Sequence, residues 1–351
     1  MSESSGTPQP RVSITGPADV AVVATHILGF VPHDSLILLG VGGQIPSARI
    51  DFPHDHAAMI DVTNALTQSF NQFRDTGATL ILTAWTQDTT AARTVLAVLA
   101  PILTEIAHVA LAIQVHDGDQ GAESWSDHSD LLTPEPDHTG PWPTGPITTA
   151  DRDRFAVEFI ATGGAVPAAS RQAKATRFNI DHEDTEAVKR ALPQAVKETH
   201  ARQVSATDQA EWRASEVAWI KQATATARAD RTTLTPSTIA RVLVALDEDN
   251  ATRDSLTVTL RRATAHADHD VWTQIARRAP AKQRQAPLLL AALTAWLSGD
   301  GASAWIALDA VDTLPQAADR APDVLHQVIT TALTNAHHPD TWERAIHSRD
   351  H

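Results

Sequence analysis

The chain contains no cysteine. A disulfide framework, a thiolate metal site and a cysteine nucleophile are therefore excluded together. Tyrosine is also absent and aromatic residues make up only 5% of the chain. The interior must pack through Ala, Leu, Val and Ile, a composition that favours helix over sheet. No window approaches the roughly 18 uninterrupted apolar residues of a membrane span, and the longest candidate, residues 94–107, is interrupted by Pro101. The opening Met1-Ser2-Glu3-Ser4-Ser5-Gly6 is polar and acidic, unlike a secretory leader. From these absences we expect a cytoplasmic protein with no membrane partner.

Positive charge is scarce in the first half. Residues 1–150 hold Arg11, Arg49, Arg74 and Arg93 against sixteen acidic side chains, so −12 of the total charge of −14 lies there. Such a surface repels phosphate backbones, which sets nucleic-acid binding aside for this half. In the second half Arg261, Arg262, Arg277, Arg278, Lys282 and Arg284 would serve a nucleic acid only if they shared a face. Nucleic acid is not the partner we expect.

At 351 residues the chain is long for one core. We divide it into a disordered tail (1–10), an α/β domain (11–120), a Pro-rich acidic linker or loop (121–150) and a helical domain (151–351). Val20, Val23, Ile27 and Leu28 repeat at helical spacing up to Gly29, which reads as a C-terminal stop. Leu36 to Val41 and Ala48 to Phe52 flank a Gly- and Pro-containing turn and read as a hairpin. Helix from about His56 to Arg74, strand from Ala78 to Trp85, helix from Thr89 to Ile106 and strand from His108 to Val115 follow. This alternation leads us to expect a mixed, mostly parallel sheet with flanking helices.

After Asp151 the pattern is helical throughout, with prolines at helix starts; Thr235-Pro236-Ser237 is an N-cap followed by proline in the first turn. Leu290 to Leu297, the turn Ser298-Gly299-Asp300-Gly301, then Trp305 to Val311 resemble one tetratricopeptide-like hairpin. We therefore expect an all-α, partly tetratricopeptide-like second domain.

Chemistry is thinly signalled. Gly40-Val41-Gly42-Gly43 follows a strand but runs into Pro46 and a second strand, not a helix, so it is a turn and no dinucleotide site. Ser35 lacks the Gly-x-Ser-x-Gly elbow. Asp51, His54 and His56 cluster after a strand end, where imidazole and carboxylate could hold a divalent metal, with His116 and Asp117 as further candidates. His266, Asp268, His269 and Asp270 fall in a helix without the Glu of a zinc-protease helix, and read as an exposed polar face. Trp212 and Trp219, seven apart, form a helical stripe suited to a core or a partner. No catalytic residue is assigned, and no cofactor is expected except that metal under an enzymatic reading.

Leu28-Gly29-Phe30 with Pro32, Ser35 and Leu36 to Gly40, together with Ala295-Trp296-Leu297, Gly299-Asp300-Gly301-Ala302 and Ala307-Leu308-Asp309, resemble an uncharacterised actinobacterial family, the domain of unknown function 4192. The resemblance implies a cytosolic actinobacterial protein and carries over no activity. Members often bear cysteines after the last N-terminal strand, where this chain has Ser124-Trp125-Ser126-Asp127-His128-Ser129-Asp130. The expectation is a non-catalytic protein-interaction or regulatory module whose helical domain binds a protein partner. The alternative is a metal-assisted hydrolase or nucleotide-processing enzyme at the strand ends.

Overall fold

A computed structural model describes residues 13–42, 45–118, 121–133, 142–161, 165–248, 250–315 and 323–347. The expected tail, 1–10, lies outside them. Contacts divide the chain into two compact units, 1–174 and 175–351. Among the described residues no helix is long and apolar enough to cross a membrane.

The first unit is built on a six-stranded sheet of β1 (Ser35–Val41), β2 (Ala48–Asp51), β3 (Thr79–Trp85), β4 (His108–Gly118), β5 (Gly121–Asp127) and β6 (Thr144–Pro146), in the order β2-β1-β3-β4-β5-β6. Only β3 and β4 pair in parallel; the other four pairings are antiparallel. This corrects the mostly parallel sheet expected above. The hairpin reverses β2 against β1, so the crossover helix α2 (His56–Phe70) links β2 to β3 while β1, running the other way, sits between them. The helix count was a sound guide to crossovers but not to which strand each one skips. Only α3 (Thr89–Thr104) joins adjacent strands, β3 and β4.

Residues 121–150, expected as linker or loop, contribute β5 and β6 to this sheet, and residues 134–141 within them lie outside the described set. α4 (Thr149–Ala161) packs on α1 (Pro17–Leu28), with Phe159 stacked on His26 at 4.5 Å and Arg154 paired to the buried Asp19. The first unit therefore extends well past residue 150.

The segment after α1 is pinned from two sides. Gly29 adopts φ 70, ending the helix. The ammonium of buried Lys174 donates to the Leu28 carbonyl at 2.8 Å, so close that a Cβ on Gly29 would lie 2.8 Å from it. Ala168 donates to the Gly29 carbonyl and accepts from the Val31 amide, both at 2.9 Å. The chain then enters β1, whose Gly40 lets the backbone of Ile45 cross at a distance no Cβ would permit.

The second unit is helical: α6 (His182–Ser205), α7 (Gln209–Asp230), α8 (Pro236–Glu248), α9 (Asn250–Thr257), α10 (Ala265–Arg278), α11 (Gln285–Leu297), α12 (Gly301–Asp312), α13 (Val324–Thr334) and α14 (Asp340–His347), with the short α5 (Arg171–Ala175) at the junction. Thr235 caps α8 through the Thr238 amide at 3.2 Å, as its sequence suggested. Every residue of α11 from Pro287 to Leu297 is buried. An apolar helix buried on all sides is the axis of a core, and α10, α12 and α13 pack around it. Glu216 on α7 is also fully buried and accepts from Arg202 of α6 at 2.6 Å and Arg241 of α8 at 3.0 Å. Trp212 is core, and Trp219 lies under the Arg241 guanidinium at 3.7 Å.

Candidate functional site

Directly paired residues share a face of a sheet. The register therefore places Asp51, Ser35, Trp85, Val115 and Trp125 in one row on one face, and Ile50, Leu36, Ala84, Gln114 and Ser126 in the next row on the other. Both rows lie where α2 and α3 begin, capped by Asp55 and Asp88.

On the first face the suggested metal residues disperse. Asp51 is ion-paired to Arg49 at 2.6 Å, whose Nε donates to the Ser35 hydroxyl at 3.0 Å. His54 pairs instead with Asp34 at 2.8 Å, and Asp34 holds the left-handed backbone at φ 45. His56 opens α2 and is exposed. Among the described residues no three His, Asp or Glu side chains form a group able to hold a metal ion. His116 lies three strand spacings from Asp51, about 14 Å, and on the opposite face. The side chain of Asp117 lies outside the described residues.

His116 belongs to a different network. The Gln114 amide nitrogen donates to the Thr86 carbonyl at 2.9 Å and to His116 Nδ1 at 3.4 Å, and His116 Nε2 lies 3.0 Å from the Ser126 hydroxyl. An amide nitrogen only donates, so this contact belongs to the tautomer in which Nδ1 accepts and Nε2 faces the Ser126 hydroxyl with its proton.

Beside it His128 is wholly buried, its Nδ1 3.3 Å from Arg93, which also binds Asp130 at 2.8 Å and lies 4.2 Å over Trp142. Burial first, then the Arg93 charge, lowers the His128 pKa to about 4 and leaves the ring neutral.

In the second unit the stretch 266–270 is only partly the exposed face expected. His266 and Asp270 are exposed, but Asp268 is buried under Thr264 and Arg228, and His269 is buried with Nδ1 on the Ala291 carbonyl at 2.9 Å. The inward pair arises because α10 packs α11 along this side. Burial dominates the His269 shift too, lowering its pKa to about 4. The basic residues singled out from 261 to 284 are largely taken up internally. Arg261 binds the Val258 carbonyl at 2.6 Å, Arg262 pairs with Asp340, Arg278 binds the Leu234 carbonyl at 2.6 Å, and Arg284 binds the carbonyls of Phe178 and Ala276.

The second unit has a cleft of about 500 Å³ where the end of α8, the start of α9, the approach to α11 and the start of α13 converge. Leu243, Leu246, Ala286 and Val324 supply apolar wall; Asn250, Gln283 and Gln285 supply amides. Its one buried charge is Arg253, held by Asp254 at 2.8 Å and by Asp323 at 2.5 Å. Asp323 also caps α13 through the Leu325 amide. The cleft joins residues some 70 positions apart, a pairing without any local signature. Val324 of this wall is 70% exposed, and Val328, 41% exposed, lies one turn further along α13.

A family model described as Domain of unknown function (DUF4192) matches residues 17–340. No curated protein matches the chain, and no solved structure does.

Proposed function

The chain belongs to the family of domain of unknown function 4192, and we propose that it is a non-catalytic protein-interaction module whose helical unit binds a segment of a partner protein. The observation that supports this reading is the cleft between α8, α9, α11 and α13, continuous with the exposed Val324 and Val328. Its volume lies within the range of roughly 300–1,000 Å³ found for ligand sites, and its lining combines apolar, amide and charged side chains, a mixture that a peptide segment can match. An apolar pair one turn apart at its mouth is an anchor of the kind that protein segments use. The tetratricopeptide-like reading of α11 and α12 belongs to the same proposal, since stacked helical hairpins present concave binding faces.

A photoreactive side chain introduced at Val324 of the full chain tests it. The reading expects a discrete cross-linked protein in cells that make this protein natively, absent when the same side chain stands at Val157 in the first unit. Identical products from both positions would overturn it. The enzymatic alternative takes Asp51, His54 and His56 as ligands of a divalent metal, residues that among those described do not come together as a metal-holding group, His54 being paired with Asp34. Metal analysis of untagged protein separates the two: a stoichiometric divalent ion lost on His54→Ala would favour the enzyme.

A further inference from the structure

We propose that the occupant of the helical cleft is a basic segment, one whose Lys or Arg side chain is received at the C-terminal end of α8 while an adjoining apolar residue packs on Val324 and Val328. This deepens the binding reading above and rests on it. The charges that line the cleft are not equally available. Arg253 is buried, with Nε and one terminal nitrogen on Asp254 and the other on Asp323, so its charge is already answered. Lys282, also in the lining, is exposed and not without a partner of its own. Asp323 is taken up by Arg253, Gln285 and the α13 cap.

Among the described residues of the cleft, the charged groups with acceptor oxygens to spare are carboxylates. Asp247 is exposed and makes no ion pair among the described residues, and Asp254 is exposed and meets Arg253 through one oxygen only. Glu248, next in sequence to Asp247, is exposed and stands outside the lining itself. Asp247 and Glu248 occupy the last turn of α8, which carries no basic residue. A helix C-terminus already bears partial negative charge, so acids there destabilise the free protein and a docking cation relieves them. The aliphatic stem of such a side chain can lie along Leu243 and Leu246 while its head meets the carboxylates.

Selection of random displayed peptides on the full chain tests this. Binders enriched in Lys or Arg beside Leu, Ile or Val are expected, with affinity about tenfold weaker for the Asp247→Lys, Glu248→Lys variant. That variant puts cations where the helix prefers them, so it should melt no lower than the parent; weakened binding cannot then be assigned to misfolding. Acidic or uncharged binders that are lost on Val324→Glu would overturn the basic occupant and leave the binding reading standing. Binders indifferent to both changes would overturn both.

Discussion

Single side chains in this protein do structural work that their types alone do not announce. Gly29 combines a left-handed backbone with the close approach of the Lys174 ammonium, so Gly29→Ala carries both backbone strain and a clash with a buried charge. We expect it to cost about 1–3 kcal/mol, read from denaturant unfolding. His269 is buried as a neutral ring, with its folded pKa lowered to about 4 against an ordinary 6.5. A depressed folded pKa means that the unfolded chain binds the proton more readily. Its contribution is therefore complete above about pH 6.5 and is lost as the pH falls toward 4. From pH 7 to pH 5 this group alone costs about 2 kcal/mol. His269→Asn keeps a donor for the Ala291 carbonyl without the titration, and should flatten the fall in melting temperature by that share. An unchanged pH profile would show that His269 is not the group responsible. His128, lowered for the same reason, adds to the acid sensitivity of the first unit.

At the scale of elements, three helices are tied by one charge. Glu216 on α7 accepts from Arg202 on α6 and Arg241 on α8 while fully buried. Glu216→Ala leaves two guanidinium groups that keep contact with solvent, 30% and 22% exposed, and is expected to cost about 1–3 kcal/mol, with hydrogen exchange rising in α6 and α8 together. Protection lost from α7 alone would contradict the bridging role. Helices and strands from α1 to β4 were legible because each period of apolar residues ends at a Gly, an N-cap or a Pro. Strand direction was not, since β1 lies between β2 and β3 and nothing in an apolar run says which way it points. β5 was obscured by its composition: Ser124 and Ser126 alternate with Glu123 and Trp125, a polar edge pattern that reads as loop unless the alternation itself is counted. The same limit hid the cleft, whose Arg253 on α9 and Asp323 at the cap of α13 lie about 70 positions apart and meet only in the folded chain.

For the whole molecule, the acidic balance of the first 150 residues leaves that half little positive charge to recruit polyanions, whereas in the second unit Lys189, Arg190, Lys197, Lys221 and Arg277 remain exposed. The family match covers residues 17–340, so one family model spans both units. The binding account places recognition in the second unit, in a cleft whose available charge is negative. Hydrogen exchange of the full chain, with and without a selected basic peptide, tests this most directly. The account expects slowed exchange confined to the last turn of α8, to α9 and to the first turn of α13; protection in the sheet unit, or none anywhere at saturating peptide, would contradict it.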